Sequence, residues 1–362
     1  MLLADSPKAR QRFAGLSLYT AMILLVVPAV TVQTVAQETR REHIITFDVP
    51  GASVRSGQGT VPRSIAANGA ITGEYYDQNE VVHGFVRTAD GSIKTFDVPG
   101  ASKGNGQGTF SESVNPRGEI TGFFYDASKS VVYTRGFNRS ANGLITKFDG
   151  GPNLGTIPLS INATGATTGS YANEGFVRVN GVVRAFAVSK FVTVPKSINA
   201  KGEITGWFKD EHSVIHGFVR SAGGGISTFD AGPHVFTTPV SINSTGKITG
   251  SYSGATSGIH GFVRSADGSI DTFDVEPDAF TVPYGINERG EITGAWYHAN
   301  SLVHGFVLDP DGTITKFDAP GAAKRFAGYG TTPQSINARG EITGWYSDAR
   351  GVYHGFLRTP AK

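Results

Sequence analysis

From residue 43 onward the chain alternates apolar and polar residues in short runs, broken every few positions by Gly, Pro, Asn or Asp. That alternation is the period of half-buried β-strands. The segment His304–Asp318 (HGFVLDPDGTITKFD) shows it most clearly and reads as a β-hairpin. Around it the pattern predicts four strands: Pro283–Asn287, Glu291–Tyr297, His304–Leu308 and Thr313–Asp318. No stretch after Gln37 carries a convincing helical period.

The same pattern recurs. The phrase SIN-x-x-G-x-ITG occurs at Ser64–Gly73 (as SIAANGAITG), Ser113–Gly122, Ser160–Gly169, Ser197–Gly206, Ser241–Gly250, Gly285–Gly294 and Ser335–Gly344. An HGF phrase is centred on Phe85, Phe137, Phe176, Phe218, Phe262, Phe306 and Phe356. A TFD phrase is centred on Phe47, Phe96, Phe148, Phe186, Phe229, Phe273 and Phe317. The ITG glycines are 37 to 50 residues apart, which fits four short strands per unit. The Gly closing each Asn-x-x-Gly turn suits a position with positive φ. A Pro two residues before the SIN phrase in six units suits the first residue of a strand.

Four-stranded units at this period predict an all-β fold, a seven-bladed β-propeller. The ends of the pattern support closure. The first strand, Ile44–Asp48, is a TFD strand with no unit of its own, and the last unit stops after its HGF strand. If Ile44–Asp48 completes the last blade, the ring closes with few exposed edges. An open solenoid or two small β domains are the alternatives, and each leaves an unpaired strand at both ends. Together the three phrases resemble the HAF-type extracellular repeat family, with His-Gly-Phe in place of His-Ala-Phe. The resemblance spans the region after the N-terminal segment. It implies a secreted bacterial protein with a propeller-like fold, and it implies no activity.

Composition narrows the chemistry. The chain has 362 residues, 48 Gly, 23 Phe and no Cys. Disulfides, zinc–thiolate sites and thiol nucleophiles are thereby excluded. A net charge of +2 favours no nucleic-acid partner. At the N-terminus Lys8, Arg10 and Arg12 precede an apolar run from Leu16 to Val32, and small residues lead to Ala36. This is the pattern of a secretory signal over 1–36, followed by a propeller over 37–362, in the periplasm or outside the cell. An uncleaved signal anchor is the alternative and would be its one membrane contact.

The repeated His and Asp are the first candidates for chemistry. If Leu308 pairs with Ile314, His304 falls opposite Asp318. The same offset pairs His83 with Asp97, His216 with Asp230 and His260 with Asp274. His354 lacks a downstream Asp, and closure would supply Asp48. In the second unit Arg135 replaces the His and Asp149 remains; in the third Glu174 and Ala187 replace both. This covariation reads as a structural clasp rather than a metal site, worth about 1.5–3 kcal/mol per pair if sheltered. The Phe columns read as core. The SIN asparagines read as turn residues that bond backbone.

Unrepeated polar groups point instead to the loops between the second and third strands, where Asp77, Asp126, Asp210, His212, His298 and Asp348 form a candidate ligand site on one face. No Ser-His-Asp arrangement and no catalytic pair of acids stands out, so no catalytic residue, metal or cofactor is assigned. The expected role is a non-catalytic binding module for an extracellular carbohydrate or protein. A propeller lyase or hydrolase and a structural matrix protein are the alternatives.

Overall fold

The computed structural model of the protein describes residues 42–128, 133–151, 155–233, 235–254 and 258–361, all within one unit spanning 40–362. The signal segment 1–36 and loop residues 129–130 and 255–257 lie outside the described residues. The described residues contain no helix. They form seven four-stranded antiparallel sheets in a ring, a seven-bladed β-propeller. Blades 1 to 6 span 60–96, 109–148, 156–186, 192–229, 236–273 and 280–317.

Within blade 6 the strands are Phe280–Ile286, Ile292–Tyr297, His304–Leu308 and Ile314–Phe317, from inside to outside. Blade 7 takes its first three strands from Thr331–Ile336, Ile342–Ser347 and Tyr353–Thr359. Its outer strand is the N-terminal His43–Phe47, with Phe47 paired to Gly355. The first strands of successive blades pack side by side and close from blade 7 onto blade 1, so they line the axis. The turn glycines that end Asn-x-x-Gly all have φ between 78° and 86°. A side chain is strained there, which accounts for the repeated Gly.

The Pro column differs from expectation. Pro283 is the fourth residue of its strand rather than the first, and a register shift follows it, between Pro283 and Gly285. Six of the seven inner strands carry this shift directly after Pro, and blade 2 carries it after Ser111. An inner edge strand tolerates a missing donor at a bulge. The extra residue of each bulge is the one between Pro and Ser.

The repeated phrases build the seams between blades. Each HGF Phe is fully buried. It meets the TFD Phe of the preceding blade edge-to-face at 5.9–6.3 Å. That geometry suits the aromatic quadrupole. The HGF Gly leaves room for this. A Cβ on Gly305 would lie 2.8 Å from the Phe317 ring and 3.0 Å from Pro333 of the next blade. An unanticipated Arg, four residues after the His, caps six of the outer phenylalanines at 4.7–5.0 Å; Arg220 over Phe186 is typical. In blade 6 Leu308 takes this place.

Two hydrogen-bond belts tie the inner strands together. The Oδ1 atom of each SIN Asn accepts turn N–H groups, as at Arg289 and Glu291 for Asn287. Its amide also donates to the Asn carbonyl of the next blade at 2.9–3.0 Å, a link absent from the sequence reading. Asn337 closes the belt onto the carbonyl of Ala66 at 3.1 Å. Blade 1 has Ala66 in the Asn position, and Asn68 reaches Pro116 instead. In the second belt the SIN Ser accepts the next blade's backbone N–H at 3.2–3.3 Å in six seams. Gly285 interrupts it at the seventh.

Candidate binding site at the propeller axis

The rim is orderly. Nδ1 of His83, His216, His260, His304 and His354 lies 2.9 Å from a carboxylate oxygen of Asp97, Asp230, Asp274, Asp318 and Asp48, respectively. Leu308 pairs with Ile314, which sets His304 against Asp318. Arg135 grips Asp149 with two bonds of 2.8–2.9 Å. The rings of His83 and His304 stack on Tyr75 and Trp296 of the neighbouring strand. The condition of shelter is not met, because the Asp side chains are 39–54 % exposed. Each exposed pair is therefore worth about 0.2–1 kcal/mol rather than more.

The loop residues divide among separate blades. Asp77, Asp210 and Asp348 face Nε2 of their own blade's His at 3.4–3.7 Å. Asp126, 2 % exposed, takes Arg135 at 2.9 Å. His298 bonds Glu276 at 3.0 Å, which also holds Lys316. His212 lies exposed beside Glu211. Four of the six candidate loop residues thus extend the rim contacts. Among the described residues no three His, Asp or Glu form a metal-ligand set.

The rim also sets local proton affinities. The bond to Asp97 holds the His83 imidazole above its ordinary value of 6.5, against the opposing effect of burial. Burial pushes the Asp77 carboxyl up, but backbone donors at Val81 and Asn79, with His83, bring the net shift downward.

The asymmetry lies at the axis. The bulge residue between Pro and Ser is Arg63, Glu112, Leu159, Lys196, Val240, Tyr284 or Gln334, different in every blade. All seven are half-buried. Glu112 of blade 2 feels Lys196 of blade 4, and Arg63 of blade 1 feels Tyr284 of blade 6, although these blades are not adjacent. Side chains so far apart in the ring interact only by facing the axis.

Arg63 gives both Nε and Nη2 to Oε1 of Glu74, at 2.8 and 2.6 Å. Glu74 is 1 % exposed, and its Oε2 has no hydrogen-bond partner among the described residues. The pairing holds the Arg63 guanidinium firmly charged. Glu112 and Lys196 have no such partner within bonding distance among the described residues. Burial pushes the Glu112 carboxyl up to about 7, with Arg63 and Lys196 opposing and Glu74 reinforcing. Burial lowers the Lys196 ammonium and raises the Tyr284 hydroxyl. The axis thus carries one hydrogen-bonded ion pair, and an acid and an amine that feel each other across it but make no hydrogen bond or ion pair among the described residues.

A groove of about 420 Å³ also opens between blades 2 and 3, lined by Arg117, Asn138, Arg139 and Arg178. Arg139 and Arg178 are already held over Phe96 and Phe148, and Arg117 is paired with Glu119. Its cations are committed to the seam.

No family model matches the chain, and no curated protein shows a significant match. Among solved structures it is similar to a puromycin hydrolase variant complexed with PGG, at 14% identity and a TM-score of 0.54. The match covers 83% of this chain and 52% of the hydrolase. It is also similar to an acylaminoacyl peptidase from Pyrococcus horikoshii, at 9% identity and a TM-score of 0.51, over 81% of this chain and 50% of the peptidase. The chain spans about half the length of these proteins. At such identities the likeness is one of fold.

Proposed function

We propose that this protein is an exported, non-catalytic binding propeller of the HAF-repeat kind, and that its soluble extracellular ligand is taken at the axis. One observation carries the reading: the bulge position is the one place in the repeat where every blade differs, and its charged members converge. A ring that only held itself together would not need Arg63, Glu112 and Lys196 there. Half-buried charge without a hydrogen-bond partner costs stability and is a mark of function. The signal-like segment supports export.

A second reading as a propeller enzyme has one point in its favour. Glu112, with its carboxyl near 7, is suited to accept a proton at neutral pH. One experiment separates the two. The full chain and a Glu112→Gln/Lys196→Met double variant are melted with free amino acids, dipeptides, and mono- and disaccharides, and both are assayed near neutral pH on chromogenic amides and esters. The expected result is a thermal shift with the native chain that the double variant loses, and no turnover. Turnover lost in the double variant would establish the enzyme. Thermal shifts unaffected by the double variant would move the site away from the axis.

A further inference from the structure

We infer that, if the axial reading is correct, the ligand is a small zwitterion: its ammonium group meets Glu112, its acid group meets Lys196, and its apolar body lies along Leu159. Glu112, Leu159 and Lys196 hold the same bulge position in three consecutive blades, so the aliphatic position falls between the two charged ones around the ring. Arg63 is already paired with Glu74 through its Nε and Nη2, which makes it the weaker anion receptor. Lys196 is then the available cation and Glu112 the available acid.

Neither finds a hydrogen bond or ion pair among the described residues, and burial disfavours the charged form of each. An anion alone would satisfy Lys196 but face Glu112. A cation alone would satisfy Glu112 but face Lys196 and Arg63. A dipolar ligand relieves both charges at once, and each charge-assisted bond in such a site is stronger than its exposed counterpart.

Binding of an ammonium group requires the Glu112 carboxylate. The groups that bear on it are Arg63, Glu74 and Lys196. Affinity should therefore rise with pH up to about 7, and fall again as the lowered Lys196 ammonium loses its proton.

The test is calorimetric titration of the full chain with β-alanine, γ-aminobutyrate, δ-aminovalerate and ε-aminocaproate, and with butyrate and butylamine as single-charge controls. One chain length should bind best and report the Glu112–Lys196 separation. The single-charge controls should bind about tenfold weaker or worse, the cost of one charge-assisted bond. Glu112→Gln should abolish the advantage of the ammonium group and flatten the rising limb of the pH profile, and Lys196→Met should abolish the advantage of the carboxylate. Both variants should stay folded, since neither removes a hydrogen bond of the described residues, and their melts in the absence of ligand check this. Equal binding of butyrate or butylamine, or no binding of any amino acid in the series, overturns the zwitterion. If a saccharide binds instead and the double variant loses it, the axial site stands and the zwitterion falls. If no ligand responds to the channel variants, both fall.

Discussion

Two positions one residue apart behave in opposite ways. Six of the seven SIN serines keep their identity, and each accepts a backbone N–H from the next blade. The residue just before them differs in every blade. The first group faces a seam, where every blade must meet an identical neighbour. The second faces the axis, where no neighbour constrains it. Repetition therefore marks what the ring needs to close, and its loss at one column marks the surface left free for other chemistry. Charge follows the same division. The rim His–Asp pairs and Arg135 are paired and six seam arginines are stacked, whereas Glu112 and Lys196 make no such contact among the described residues.

The strongest way to break the seam side of this comparison is to remove the closing strand. Deletion of residues 42–48 takes away the outer strand of blade 7, the Asp48 partner of His354, and the Glu42–Arg358 pair. It also strips the Phe47 ring from Phe85. We expect the melting temperature to fall by on the order of 10 °C or more. A melt that matches the full chain would mean that the ring does not depend on closure.

A second, smaller effect probes the rim where it is buried. Arg135→Ala leaves Asp126, 2 % exposed, and Asp149 without their cation. Breaking a buried pair from one side costs about 3–5 kcal/mol, discounted here because Asp149 is a third exposed. Urea unfolding should show the loss. A change under about 0.5 kcal/mol would place blade 2 with the exposed rim pairs.

The seam was largely legible before the structure. Period, orphan strand and the His-to-Asp offset are all features of spacing, and spacing is what antiparallel hairpins conserve. The axis was not legible for two reasons. Unrepeated polar residues are expected in loops, whereas Arg63, Glu112 and Lys196 sit inside strands. The bulge that turns them inward shows only in the pairing register, between Pro62 and Ser64 for instance. Its one trace in the sequence is a column: the residue between Pro and Ser varies while both neighbours repeat in most blades. The inter-blade bonds of Asn199 and its equivalents were hidden for another reason. A turn-capping Asn and a seam-bridging Asn have the same local sequence, and here one side chain does both.

The gap at Gly285 offers a repair. A Cβ there would have its nearest neighbours at 3.5 Å or more, and the first is the N–H of Ile336 that the belt leaves unserved. Gly285→Ser should therefore gain about 0.5–1.5 kcal/mol, from one hydrogen bond and a less flexible unfolded chain. Ser241→Gly should lose a similar amount. If Gly285→Ser destabilises in urea titrations, the Ser belt is incidental to the seam.

The smallest expected effect asks whether the His and Arg versions of the rim contact are equivalent. His83→Ala should cost at most about 1 kcal/mol, because Asp97 is half-exposed and solvent screens the pair. Its signature is the pH dependence. The imidazole's proton affinity is raised above 6.5 by folding, so the stabilisation is complete below that value and is lost as pH rises through the raised folded value. Asp77 is shifted downward, so its share is lost only in acid, as pH falls through its depressed value. The cost of His83→Ala should thus be greatest in mildly acid buffer and fade above neutrality. Arg135 keeps its charge throughout, so the cost of Arg135→Ala should stay level over the same range. Parallel pH profiles for the two variants would show that the ring contact with Tyr75, rather than the charge facing Asp97, is what His83 contributes.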